Sequence, residues 1–193
     1  MKKLTFAGFA FAAFTSNAIA ADVATFDIGG IKLGMTPADA RSTLQAKCKR
    51  DQGKFDETTV LTPNPYLHGK RYAEYMHCKT QVTETTVSLL AIPSGAVVVQ
   101  RVTYRMPWSV ENVKSLKESA LAKYGEPTNI VQMGNQPEWC NEPNPTWKGG
   151  PACNESRGPA LLVVGAELRL ADPRYPQQVW DDLKAKQTIK PSL

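Results

Sequence analysis

The sequence predicts an α+β domain in which helices pack on one face of an antiparallel sheet of about four to five strands, held by two disulfides. Three features predict this fold: two segments with apolar residues at helical spacing, two alternating segments joined by a tight turn, and an even number of cysteines. The elements follow the order helix, hairpin, helix, two strands, helix. The same order allows two helix-hairpin halves, residues 21–106 and 107–193.

The N-terminus has the pattern of a secretory signal. Two lysines precede the apolar run Leu4–Phe14, and Ala18-Ile19-Ala20 provides small residues for cleavage. We expect cleavage after Ala20, which leaves residues 21–193 as a single domain. The apolar run is too short to span a bilayer, and no cysteine follows the cleavage site to receive a lipid. The mature chain is therefore expected to be soluble and periplasmic, with no integral membrane segment.

Charge excludes an obvious nucleic-acid partner. Loss of the two signal lysines lowers the formal net charge from +5 to +3, which is mild for nucleic-acid binding. We expect no cofactor.

The four cysteines are expected to form disulfides, because an even number in an exported chain favours them. Three pairings are possible, and we expect the local one, Cys48–Cys78 with Cys140–Cys153. No CxxC-like spacing occurs, so no metal site is predicted.

The first half begins with an alternating strand, Phe26–Met35, broken by glycines. Thr36 is a good helix N-cap, and the following apolar residues recur every four positions, at Ala40, Leu44 and Cys48. Polar residues, glycines and prolines predict a loop over Lys49–Lys70. Val82–Ala91 and Ala96–Met106, joined by a Pro- and Gly-containing turn, predict an antiparallel hairpin.

The second half begins with the strongest helical pattern of the chain. Ser109 caps Val110–Tyr124, and Gly125 ends it. A short strand over Thr128–Met133 follows. The apolar run Ala160–Leu170 predicts a central strand. Pro176–Lys186 predicts a last helix that docks its apolar face on the sheet, through Val179, Trp180 and Leu183.

The long segment Gly134–Pro159 is the candidate interaction loop. It is rich in Gly and Pro, yet it also contains two tryptophans and two cysteines. A disulfide would lower the ordering cost of binding, and Trp is a common anchor in protein interfaces. The candidate partner-binding residues are Glu138, Trp139, Glu142, Trp147 and Lys148. The alternative is that both indoles turn inward and cap the core.

Catalysis finds little support in the sequence, and no catalytic residue is assigned. No GxSxG motif occurs, and only His68 and His77 could act as a base. These histidines belong to an aromatic cluster with Tyr66, Tyr72 and Tyr75. The cluster either packs over the first disulfide or lines a site. The cluster supports the alternative function of a small-molecule or glycan-binding module, or an atypical hydrolase.

Two joints resemble a known fold group. Gly30–Pro37 (GIKLGMTP) and Tyr124–Thr128 (YGEPT) are similar to the strand–helix and helix–strand joints of β-lactamase-inhibitor-protein-like proteins, which include small outer-membrane assembly lipoproteins. The resemblance implies helices packed on an antiparallel sheet and a protein-binding role. This chain lacks the lipid-bearing cysteine of the lipoproteins, and no binding residue transfers from the group.

These observations favour a non-catalytic periplasmic binding protein. We expect an inhibitor, an immunity protein or an accessory of envelope assembly, whose partner is another periplasmic or envelope protein.

Overall fold

The computed structural model describes residues 22–61, 63–131, 136–143, 152–153 and 155–187, and the predicted signal peptide lies outside them. The helices are α1 (Pro37–Arg50), α2 (Val110–Tyr124) and α3 (Arg174–Gln187). A short hairpin precedes α1, formed by β1 (Asp27–Ile28) and β2 (Ile31–Lys32). The remaining strands are β3 (Lys54–Thr59), β4 (Ala73–Lys79), β5 (Glu84–Ala91), β6 (Val97–Arg105), β7 (Asn129–Val131), β8 (Gln136–Cys140), β9 (Ala160–Val164) and β10 (Glu167–Ala171).

Eight strands form one antiparallel sheet in the order β3-β4-β5-β6-β10-β9-β8-β7. The sheet consists of two four-stranded meanders, each preceded by a helix, which meet where β6 pairs with β10. Leu170 lies opposite Val102 at this seam. The predicted α+β class with an antiparallel sheet is confirmed, but the sheet is larger than the four to five strands expected.

Local capping explains why the first two helices begin and end where the sequence predicts. Thr36 Oγ1 accepts a hydrogen bond from the Asp39 amide at 3.2 Å, and Ser109 Oγ accepts one from the Asn112 amide at 3.0 Å. These bonds satisfy amides that have no partner within the helix. Gly125, at φ 78°, ends α2 in a conformation that favours glycine.

The core lies between the sheet and the two helices. Helix α1 packs over β3, β4 and β6, and α2 packs over β8, β9 and β10. The disulfide Cys48–Cys78 joins α1 to β4 inside this core, and Cys140–Cys153 closes the long loop, so the predicted pairing is confirmed. The other fully buried large side chains of the core include Ile31, Leu44, Met76, Val87, Leu89, Val102, Trp139, Leu161 and Leu170.

Four strand predictions are wrong. The expected single strand Phe26–Met35 is a hairpin, because the chain reverses between β1 and β2. The expected loop Lys49–Lys70 contains β3. This strand lies at the edge of the sheet, and its sequence is too polar to show the apolar alternation that predicts a strand. The expected single strand Ala160–Leu170 is two strands, because the chain reverses at Gly165, which has φ 58°. Strand β8 lies inside the segment that was expected to be a loop.

The predicted docking of the last helix is also wrong. Helix α3 forms, but none of its residues is buried, and Trp180 is 65% exposed. The helix-bearing face of the sheet is already occupied by α1 and α2, so the apolar side of α3 finds no surface there. Polar contacts hold α3 instead, including the Tyr66 hydroxyl, which donates a hydrogen bond to Asp182 at 2.9 Å.

Candidate functional site

The structure divides the predicted loop residues between the core, the surface and the part of the chain that it does not describe. Trp139 is 1% exposed and Glu138 is buried, whereas Glu142 is exposed. Trp147 and Lys148 lie outside the described residues. Glu138 and Trp139 are neighbours on β8, so their side chains point to opposite faces of the sheet.

Trp139 is a core residue, which corrects its assignment as a partner-binding anchor. Its indole Nε1 donates a hydrogen bond to the Gly125 carbonyl at 3.3 Å. Its ring packs edge-on against the Tyr124 ring, with centroids 5.9 Å apart, and the Tyr124 and Phe26 ring centroids are 4.8 Å apart. The indole therefore joins the end of α2 to the sheet, which is the inward orientation that the sequence left open.

Glu138 holds the loop to the opposite face, which likewise corrects its assignment as a partner-binding residue. Its carboxylate Oε2 accepts hydrogen bonds from the Cys153 amide at 3.1 Å and from Asn129 Nδ2 at 3.2 Å. The disulfide lies over the same part of the sheet and packs with Ala160 and Leu162. This part of the loop therefore covers β8 and β9 on the side without α1 and α2.

Within the described ranges, no element covers the remainder of that side, and we call it the open face. It is formed by alternate residues of β3, β4, β5, β6 and β10, as the strand registers show. Its side chains are Asp56, Tyr75, His77, Glu84, Thr86, Ser88, Arg101, Thr103, Arg105, Glu167 and Arg169.

Charged side chains are arranged as an ordered array at the centre of the open face. Arg105 Nη2 and Arg169 Nη2 each donate a hydrogen bond to Glu167, both at 2.6 Å. Burial raises the pKa of the Glu167 carboxyl, but the hydrogen bonds from the two guanidiniums outweigh it, and the net pKa lies below its ordinary value. One carboxylate thus holds two arginines in place.

A depression of about 220 Å³ lies among these residues on β5, β6 and β10. Arg101 lines it, and within the described part of the chain its side chain has no ion pair or hydrogen bond. The depression therefore combines hydroxyl groups, paired arginines and one unpaired guanidinium.

The predicted aromatic and histidine cluster does not form a single site. Tyr75 and His77 stack on the open face with ring centroids 6.0 Å apart, and His77 Nδ1 lies 3.2 Å from Thr86 Oγ1. Tyr72 packs against the core, and Tyr66 contacts α3. The first disulfide lies on the other side of the sheet from Tyr75 and His77, so these rings do not pack over it.

Trp108 is a surface residue that the sequence analysis did not select. It is 76% exposed, and its indole lies over Gly165, where a Cβ atom would be 3.9 Å from the ring. Val82 and Val164 are also exposed at this end of the sheet, and we call the three residues the rim. The Pro-Trp pair directly after an alternating strand was the available signal, because it places an aromatic residue where the sheet ends.

The described ranges contain no group of three or more His, Cys, Asp or Glu side chains able to hold a metal ion. Within the same ranges, no helix is long and apolar enough to cross a membrane.

Comparison of the chain with protein-family models, with curated proteins and with solved structures gives no match. Its function is therefore inferred from the geometry of the open face and the rim.

Proposed function

We propose that this chain is an exported, non-catalytic binding protein that engages another periplasmic or envelope protein through the open face. It would act as an inhibitor, an immunity protein or an accessory of envelope assembly. One observation supports this proposal. The eight-stranded sheet has helices on one side, and on the other side, within the described residues, it leaves open a surface that bears arginines and a tyrosine and ends at Trp108.

The composition of this surface fits a protein interface. Binding energy in such interfaces concentrates in Trp, Tyr and Arg side chains, and the open face with its rim presents Trp108, Tyr75 and Arg101. Strands hold Tyr75 and Arg101 more rigidly than a loop would. Because Glu167 already orders two of the arginines, less conformational freedom is lost when a partner binds.

The disulfides support an oxidising compartment. All four cysteines are paired, and such bonds persist in exported proteins rather than in the bacterial cytoplasm. Together with the signal pattern of residues 1–20, this favours the periplasm.

Capture of a partner from a periplasmic extract under non-reducing conditions tests this proposal. Trp108→Ala should weaken capture about thirtyfold, because a Trp anchor at a typical interface hot spot contributes about 2 kcal/mol or more. Trp180→Ala is the matched control, since Trp180 is a similarly exposed indole on α3. Both variants should keep the free energy of unfolding within about 0.5 kcal/mol of the parent value. Capture that depends on Trp180 and not on Trp108 would move the binding surface to α3.

A further inference from the structure

A second cavity lies beside the depression on the open face, where the disulfide-closed loop meets the start of α3. It encloses about 190 Å³. Small and apolar side chains form its floor, at Ala160, Leu162 and Ala171, while Ser156 and Pro176 stand at its walls. Because alanines occupy two floor positions where larger side chains would fill the space, the cleft is open and apolar.

Arg101 and Arg169 line both this cleft and the neighbouring depression. Arg169 is engaged by Glu167, and the carboxylate of Asp172, which also lines the cleft, is engaged by Arg174 at 2.7 Å. Arg101 is thus the lining cation with no carboxylate partner in the described part of the chain. An apolar cleft with a free guanidinium at its border is complementary to an apolar group that lies next to a carboxylate.

A bulge in β6 places the guanidinium there. Ser88 pairs with Arg101, but Leu89 pairs with Val99, so Gln100 is an extra residue in a central strand. Such bulges re-aim neighbouring side chains and are frequent beside binding sites. Gln100 itself lines the cleft, and its carbonyl accepts the Asp172 amide at 3.0 Å, which holds the bulge against the start of α3.

The cleft is smaller than the roughly 300–1,000 Å³ of self-sufficient small-molecule sites. Its volume suits one side chain of a larger molecule.

We infer that this cleft receives a segment of the protein partner in which an apolar side chain lies next to a carboxylate, with Arg101 as the anchor of the carboxylate. This inference rests on the proposed function and names the chemistry that the partner presents.

The probe is N-acetyl-leucine, which combines one apolar side chain with one carboxylate, titrated into the full oxidised chain and followed through backbone amide NMR shifts. Shifts should concentrate at residues around the cleft, such as Arg101, Ala160 and Ala171, and saturate in the millimolar range. N-acetyl-leucinamide, which lacks the charge, should bind about tenfold more weakly, as expected for one lost charge-assisted hydrogen bond.

Two variants and one control locate the site. Arg101→Gln should weaken N-acetyl-leucine binding about tenfold. Ala171→Leu, which fills the cleft, should abolish binding. Arg50→Gln is the matched control, because Arg50 is an exposed arginine on α1, on the other side of the sheet. Equal binding of the amide, or shifts that survive Arg101→Gln, would overturn the inference.

The same variants separate the inference from the proposed function. If Trp108→Ala weakens partner capture but N-acetyl-leucine does not bind, the inference fails and the proposed function stands. If N-acetyl-leucine binds the cleft but Arg101→Gln captures the partner normally, a free carboxylic acid is the occupant and the protein segment is excluded. Loss of capture in Arg101→Gln, with normal capture in Arg50→Gln, supports the inference.

Discussion

Single residues on β8 show how one position along a strand decides a role. Glu138 and Trp139 are adjacent, yet one holds the loop on the open side while the other fills the core under α2. The sequence placed both in an interaction loop because it did not reveal that this segment is a strand. With strand alternation unrecognised, the composition of the loop could not separate the buried indole from the exposed Glu142.

Glu167 is a single residue that should make the free energy of unfolding depend on pH. Its pKa is lowered in the folded chain, so its ionised form stabilises the fold above its ordinary pKa of about 4.5. This contribution is lost as the pH falls below that value and through the lower pKa of the folded chain. Glu167→Gln should therefore lower the free energy of unfolding by about 1 kcal/mol at pH 7, with a smaller difference near pH 3.

Urea unfolding between pH 3 and pH 7 measures this effect. Glu118→Gln is the control, because Glu118 forms an exposed pair on α2, 3.9 Å from Lys114. A deficit of Glu167→Gln that stays constant with pH would show that packing, rather than charge, is what Glu167 contributes.

Among the elements, those with local signals were predictable from the sequence. The caps at Thr36 and Ser109 and the turn between β5 and β6 involve residues close in the chain, so their chemistry is visible there. The edge strand β3 and the docking of α3 depend on which surfaces other elements leave free. The sequence shows the apolar side of α3. It does not show whether any surface of the sheet is left free for that side to pack against.

The disulfide Cys140–Cys153 should stabilise the fold while affecting only the part of the sheet on which it packs. Cys140→Ser with Cys153→Ser should lower the free energy of unfolding by about 3 kcal/mol on a chain-entropy model. Because this disulfide packs on β8 and β9, which β6 and β10 separate from β5 and β4, the amide shifts of β4 and β5 should stay unchanged in the variant. By contrast, Cys48→Ser with Cys78→Ser removes a crosslink inside the core and should perturb β4 directly. Changes of equal extent in β4 and β5 for both pairs would contradict this separation.

At the scale of the whole molecule, the continuous sheet couples the two meanders. The open face draws its residues from five strands, so it depends on registers that no local pattern encodes, and the sequence did not predict it. The β6–β10 seam is the strand contact through which the described halves share the sheet. Val102 and Leu170 face each other there with no exposure to solvent.

Leu170→Ala should therefore destabilise both meanders together, by about 2–5 kcal/mol. Native-state hydrogen exchange measures this, since the slowest amides of β4–β5 and of β8–β9 should lose protection by the same free energy. Leu44→Ala, in α1, serves as a comparison within the first half. If β4–β5 keep full protection in Leu170→Ala, the halves unfold independently.

The position of the two crosslinks has a consequence for assembly. Each disulfide closes a loop within one half of the chain, and neither crosses the seam, so the chain between them is covalently free to open at α2. Two copies can then exchange whole halves without breaking a covalent bond, and each would regain the same β6–β10 pairing with its neighbour. Such domain-swapped dimers would carry two intact open faces, so the proposed binding of a partner would become bivalent.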